Sequence, residues 1–221
     1  IRSVILDIDG TLLISNEAHA RAFVDAANEL AIDSPSVAEV QRLIGMGGDK
    51  LIPKAFGFEK ESEQGERLEE LKGKIFRSRY LPELKPSPGT RQLLERLKSD
   101  GYTLVVATSA NPEDLKGLLD RAGVRDLIED ATSGDEVDAS KPEPDVVRAA
   151  LEQAGAAPDQ AVMLGDTPYD VEASTRAGVR LIAVRTGGWD DESLSGAIAV
   201  FDDPADLLAH YDQTPMGRGN A

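Results

Sequence analysis

The first unbroken apolar run, Val4-Ile5-Leu6, leads directly into Asp7-Ile8-Asp9-Gly10-Thr11. Such a run without polar alternation predicts a strand buried on both faces, as in a parallel sheet. After Leu13 the period changes. Ala18, Ala22, Phe23, Ala26, Ala27 and Leu30 recur at helical spacing over residues 17–31. Ser34-Pro35-Ser36 makes a turn, and Val37, Val40, Leu43 and Ile44 resume the helical period until Gly45-Met46-Gly47-Gly48-Asp49-Lys50 interrupts it. Residues 51–58 read as a short helix and turn. Residues 62–81 read as one long charged helix with Leu68, Leu71, Ile75 and Phe76 inward. Residues 14–82 thus form an all-helical insert without a strand signal.

Pro82, Pro86 and Pro88-Gly89 mark its end. Beyond them helix and strand alternate. Strands are predicted over 102–107, 161–164 and 180–184, with a weak one at 127–131 and an edge strand at 198–201. Helices are predicted around Leu93, Leu94 and Leu97, and over 112–122, 144–154, 171–177 and 204–211. This order predicts an α/β fold, a doubly wound and mostly parallel sheet, with an all-helical cap inserted after the first strand. Residues 1–13 and 83–212 form the core, 14–82 the cap and 213–221 a disordered tail.

Charge narrows the partners. The 221-residue chain carries a formal charge of −16, which argues against nucleic acid or an anionic membrane as a partner. An anionic substrate would have to be drawn in by local cations. The chain has no cysteine, so disulfides, thiolate metal sites and a Cys nucleophile are excluded. No apolar run is long enough to span a membrane and no signal peptide is visible, so a cytoplasmic location is expected. The chain begins at Ile1, and a short leader or initiating Met is expected to precede it.

Four stretches place polar groups at strand ends or before helices: Asp7-Ile8-Asp9-Gly10-Thr11, Thr108-Ser109-Ala110-Asn111, Ser140-Lys141-Pro142 and Gly165-Asp166-Thr167-Pro168-Tyr169-Asp170. Each has an ordinary reading. Strand-end aspartates and Thr108 cap turns and helices. Lys141 alone is a solvated lysine, and Asp170 alone suits a helix N-terminus. Gly187-Gly188-Trp189 reads as a turn with a packed Trp, and Arg77 and Arg79 as a solvated helix face.

Together and in this order, the four stretches resemble the four motifs of the haloacid dehalogenase-like hydrolase superfamily, in its capped phosphatase branch. The resemblance implies an aspartyl-phosphate on Asp7, which is nucleophile and metal ligand. Asp9 is the general acid and base, with its backbone carbonyl on the metal. Thr108 and Lys141 hold the transferring phosphoryl group, Asp166 binds Mg2+, and Asp170 binds it directly or through its waters. Backbone N–H groups around residues 8–10 cradle phosphate oxygens. The chemistry agrees: Asp7, Asp9, Asp166 and Asp170 bring more negative charge than a phosphate ester can approach without a hard cation. The expected substrate is a small phosphorylated metabolite.

His19 matches a position where relatives of the β-phosphoglucomutase type carry a His beside the acid/base Asp. Gly48 and Lys50 in the cap loop, and Ser109 in the second motif, are further substrate-side candidates. A phosphomutase is the competing reading. Against it stand Thr11 where mutases usually carry Val, Gly48 where they offer an Arg, and Gly165 where they carry Glu. Ile14 also departs from the Asp common at the cap hinge. The dehalogenase branch lacks the second Asp that Asp9 supplies. A phospho-receiver domain would share the aspartyl-phosphate chemistry but has no helical insert.

Overall fold

The computed structural model describes residues 1–132 and 139–217. The chain opens with β1 (Ser3–Leu6) and, after a tight turn, β2 (Leu13–Ile14). The cap helices follow: α1 (Asn16–Glu29), α2 (Val37–Gln41), α3 (Gly48–Phe56) and α4 (Glu63–Ile75). The predicted long helix changes to π-helical winding at Phe76–Tyr80 and a 3-10 turn at Leu81–Glu83. β3 (Lys85–Pro86), α5 (Thr90–Ser99), β4 (Thr103–Ala107), α6 (Pro112–Ala122) and β5 (Asp130–Thr132) return the chain to the core. It ends with α7 (Asp145–Ala154), β6 (Ala161–Gly165), α8 (Pro168–Ala177), β7 (Arg180–Val184), β8 (Ala199–Phe201) and α9 (Pro204–Ala209).

The main sheet has the order β5-β4-β1-β6-β7-β8, and every neighbouring pair is parallel. Alternate residues of β1 serve opposite faces. Val4 and Leu6 belong to one hydrophobic cluster and Ile5 to the other, with Val106 and Leu164 in the first and Val105 and Met163 in the second. Both faces are therefore covered, which is why the strand sequences lack alternation. The first cluster also runs through Leu12 and Leu13 to Phe23, Leu51 and Leu68, so cap and core share one apolar interior.

The order of strand addition reverses between β1 and β6: the chain steps from β1 to β4 and β5 on one side, then returns to β6, β7 and β8 on the other. Leu6 is in register with both Val106 and Leu164, and Asp7 N–H donates to the Leu164 carbonyl at 2.9 Å. The residues just past these positions, Asp7, Thr108 and Asp166, therefore rise together at the carboxyl edge, where a crevice opens in sheets of this kind.

Three expectations need correction. A two-stranded antiparallel ribbon, Leu13↔Pro86 and Ile14↔Lys85, stands at the root of the insert, which the sequence reads as wholly helical. Two residues per strand are too few for a period to show. Residues 213–217 are packed rather than disordered: Thr214 and Met216 are buried, and the Tyr102 hydroxyl donates to the Met216 carbonyl at 2.6 Å. Residues 218–221 of the expected tail lie outside the described residues. Arg77 does not face solvent alone: its guanidinium pairs with buried Asp114 at 2.9 Å and with Glu113 at 3.0 Å, tying cap to core.

The cap is seated on the core by further polar contacts. Gly47 N–H donates to Ser140 Oγ at 3.1 Å, and the Tyr169 hydroxyl donates to the Arg42 carbonyl at 2.6 Å. The Arg42 guanidinium lies 4.6 Å from the centre of the Trp189 ring.

Candidate active site

Asp7 follows β1 and is buried at the reversal point. Its Oδ1 lies 2.5 Å from the Lys141 ammonium, and its Oδ2 accepts from the Thr11 hydroxyl at 3.2 Å. Lys141 is fully buried; its ammonium also meets Asp170 Oδ1 at 2.7 Å. Burial alone would lower the Lys141 pKa, but the charges of Asp170 and Asp7 outweigh it and raise it. Lys141 is thus a fixed cation.

Asp170 divides its two oxygens between two tasks. Oδ2 accepts from Thr167 N–H at 3.0 Å and from the Thr167 hydroxyl at 2.7 Å, closing a capping box at the start of α8. Oδ1 faces Lys141 without a well-aligned hydrogen bond. The capping reading and the site reading of this residue are therefore both satisfied.

Asp166 is fully buried and accepts from Thr11 Oγ1 at 2.8 Å and Asn16 Nδ2 at 2.9 Å. Two glycines let the chain close around it. A Cβ at Gly10, whose φ is +83°, would stand 2.1 Å from Asp166 Oδ2, and a Cβ at Gly187 would stand 1.9 Å from the same atom. Only glycine fits either position.

Asp7, Asp166 and Asp170 each offer an oxygen, and these atoms lie within 4.8 Å of one another. Three carboxylates against one ammonium leave an excess of two negative charges when all are ionised. Burial, then the neighbouring carboxylates Asp170 and Asp9, push Asp7 up to about 7, despite the opposing pull of Lys141. Burial and the charges of Asp7 and Asp170 also raise Asp166 well above the usual carboxylate range. A compact set of hard oxygen donors, short of positive charge by two units, fits a divalent cation. Asp9's side chain is not in this cluster.

This has a measurable consequence. The folded state holds protons on Asp7 and Asp166 that the unfolded chain releases, so the unfolded state binds fewer protons and stability falls as pH rises. From about pH 5 to about pH 7 the metal-free protein should lose stability as the raised Asp7 carboxyl titrates, by about 1 kcal/mol per pH unit, with Asp166 acting in the same direction. Saturating Mg2+ should flatten the slope and raise Tm, by about 2.7 kcal/mol of stabilisation at a hundredfold excess over Kd. Thermal melts with EDTA and with Mg2+ across this range check it. A Tm that rises with pH in EDTA would show that these carboxyls are not held protonated.

Asp9 leaves the strand in another direction. Its Oδ1 accepts from Ser15 Oγ at 2.6 Å and lies 2.8 Å from His19 Nε2. Burial would raise the Asp9 pKa, but the His19 and Ser15 contacts overcome it and hold the carboxyl below its ordinary value. The His19 ring stacks on Phe76, with centroids 3.9 Å apart and planes 14° from parallel, which fixes its orientation.

A cavity of about 70 Å3 lies between cap and core, bordered by Asp7, Asp9, His19, Thr108 and Ser109 and, from the cap, by the turn from Gly45 to Gly48. Of the substrate-side candidates, His19, Gly48 and Ser109 border it; Ser109 also donates to the Gly45 carbonyl at 3.3 Å. Lys50 does not border it. Its ammonium lies 4.0 Å from Asp49, because the turn that exposes Gly48 to the cavity carries Lys50 past it onto α3. Among the described residues, the lysine that borders the cavity is Lys72. Lys72, Ser15 and Asn16 are not among the residues that the sequence singles out, and Thr11 enters there only as part of the first motif. Lys72 lies four residues from both Leu68 and Phe76, a lysine on the apolar face of α4, and that spacing was the available signal.

The family profile of haloacid dehalogenase-like hydrolases matches residues 4–184, which takes in the β1 aspartates, Lys141 and the Asp166–Asp170 turn. The chain belongs to this family. A phosphoglycolate phosphatase of Rhodospirillum rubrum is 33% identical over 93% of the chain and 89% of its own length. Among solved structures, a hydrolase from Pseudomonas syringae superposes with a TM-score of 0.88 at 29% identity, covering 96% of this chain and 99% of that one. A β-phosphoglucomutase from Clostridium difficile reaches a TM-score of 0.85, covering 99% and 98%, but at 21% identity it speaks for the fold alone. No helix among the described residues is long and apolar enough to cross a membrane.

Proposed function

We propose that this hydrolase removes phosphate from small phosphate monoesters, using Mg2+ and an aspartyl-phosphate formed on Asp7. The observation that carries the reading is the pairing of two differently held carboxylates at one cavity: Asp7 against Lys141, Asp166 and Asp170, and Asp9 against His19 and Ser15. Asp7, Asp166 and Asp170 would hold the cation, with the Asp9 carbonyl. Bound there, Mg2+ would offset phosphate charge and polarise the P–O bonds.

Asp7 attacks phosphorus as its carboxylate, and the bond to the leaving oxygen breaks while Asp9 gives that oxygen a proton. Water then attacks the phosphorus of phospho-Asp7. Asp9 takes the water's proton, the bond to Asp7 breaks, and the carboxylate is restored. Among the described residues the side-chain hydrogen bonds of Asp9 fall on Oδ1, which leaves Oδ2 to meet the leaving oxygen or the water. His19 and Ser15 orient the Asp9 carboxyl through Oδ1 for both transfers. Lys141 and Thr108 steady the phosphoryl oxygens.

The test is release of inorganic phosphate from a panel of esters with Mg2+ and with EDTA. Because the Rhodospirillum rubrum relative is a phosphoglycolate phosphatase, 2-phosphoglycolate is the first ester to assay. No release from any ester, or release indifferent to EDTA, would overturn the proposal. Asp9→Asn should lower kcat by about 100- to 10,000-fold, since both steps need its proton; an undiminished kcat would remove Asp9 from the acid/base role.

A further inference from the structure

Among the described residues, Lys72 on the cap side of the cavity has no carboxylate close enough to form an ion pair. Lys72 projects from α4 over two aromatic rings, with its ammonium 5.1 Å from the centres of both Phe23 and Phe76. Each carboxylate near it already has a nearer partner. Asp9 is held by Ser15 and His19, Glu69 by Lys60 at 3.2 Å, and Asp114 by Arg77 at 2.9 Å. Among the described residues Lys72 forms no ion pair within 4.0 Å. Burial lowers its pKa, and the more distant charges of Asp114, Asp9 and Glu69 oppose the fall.

Elsewhere the cap wall offers the His19 ring, the Glu69 carboxylate already paired with Lys60, the Gly45–Gly48 turn and apolar side chains. Phe23, Ile44, Met46 and Leu51 are apolar, and Lys50 lies off the cavity. A leaving group entering here meets a small space lined by these apolar side chains, by His19 and by carboxylates that already have partners, with Lys72 as the lysine at the wall among the described residues. In a chain of net charge −16, a single cation at the wall can discriminate strongly between charged and neutral leaving groups.

We infer that Lys72 is a specificity residue that binds a second anionic group, a carboxylate, on the leaving group of a short phosphate monoester. This rests on the phosphatase reading above and deepens it. Binding the carboxylate gives the ammonium the close partner it lacks, inside a cavity where such a pair is little screened. The ammonium lies over the two rings while Lys72 borders the cavity, so the rings and a bound carboxylate would share one cation. The small cavity restricts the leaving group to a few carbon atoms.

The experiment compares 2-phosphoglycolate with 2-hydroxyethyl phosphate, which has the same two-carbon chain and a hydroxymethyl group in place of the carboxylate. Ethane-1,2-diyl bisphosphate is the third arm. The wild-type protein should favour the carboxylate ester. In Lys72→Met the ratio of kcat/KM for the acid to that for the hydroxyl ester should fall by about 30-fold or more, as expected when one member of a desolvated charge pair is removed. Lys72→Arg should restore much of the ratio. A ratio unchanged in Lys72→Met overturns the inference. So does an equal fall for both esters, which would mean that Lys72 serves Asp9 and His19 instead. A wild-type preference for the bisphosphate that Lys72→Met abolishes would make the second anion a phosphate and overturn the carboxylate assignment. If the wild-type protein turns over the hydroxyl ester without preferring either charged one, the inference fails and the phosphatase reading stands. If it turns over none of the three or any wider panel, the phosphatase reading itself fails.

Discussion

Asp7→Asn should abolish ester turnover, by about 10,000-fold or more, while making the metal-free protein more stable above neutral pH. The rate loss is of the size seen when a covalent nucleophile is removed. The stability gain has a separate cause. Asp7 shares a buried space with Asp166 and Asp170, and Lys141 balances only one of the three. An amide of the same shape removes one excess charge, keeps an oxygen for Lys141, and leaves the ammonium its contact with Asp170. The gain should shrink below about pH 6, where the wild-type carboxyl is already protonated, given that burial pushes Asp7 up to about 7. Phosphate release and EDTA melts at two pH values measure both effects. Turnover at the wild-type rate would remove Asp7 as nucleophile. A variant less stable than wild type at pH 8 would refute the charge-excess account.

Lys141→Met should damage both rate and stability. The side chain is fully buried between Asp7 and Asp170, so methionine fills much of the volume but strands the two carboxylates. Breaking a buried pair by removing one partner costs about 3–5 kcal/mol. In a chain of this size that corresponds to a fall in Tm of about 6–20 °C. The loss should be greatest at pH 8 and smaller at pH 6, because the Asp7 carboxyl, which burial pushes up to about 7, can then take up a proton. Loss of a charged donor at the phosphoryl group should cost about 100- to 1,000-fold in kcat beyond any unfolding. Lys141→Arg should not rescue it, since a planar guanidinium needs room that this fully buried site lacks. Melting within about 2 °C of wild type at both pH values would contradict the ion-pair account.

Some of the site was legible because it depends on local chain chemistry. Val4-Ile5-Leu6 ends at Asp7, and Gly165-Asp166 ends another apolar run; both place a carboxylate where a buried strand stops. Other members were not legible. Thr11 and Asn16 are unremarkable polar residues until folding brings Asp166 to them across more than a hundred intervening residues. Lys50 and Lys72 are both cap lysines, and only the path of the Gly45–Gly48 turn and the facing of α4 decide which one meets the cavity. Arg77 looked like part of a solvated face because its partner Asp114 belongs to a helix of the core. The packed segment ending at Gly217 was missed because Thr214 and Met216 carry no periodic signal of their own.

By itself, the sequence determined the alternation of strand and helix, the helical insert after β1, the acidic strand ends and the absence of thiol chemistry. These follow from side-chain period, turn residues and composition, which act over a few positions. The tertiary structure alone decided which charges share one space, which oxygen of Asp170 caps a helix and which faces Lys141, and which cation borders the cavity. Those outcomes depend on distances between residues far apart in the chain. Electrostatic energy inside a low-dielectric interior changes steeply over a few ångströms, and no local pattern encodes that separation.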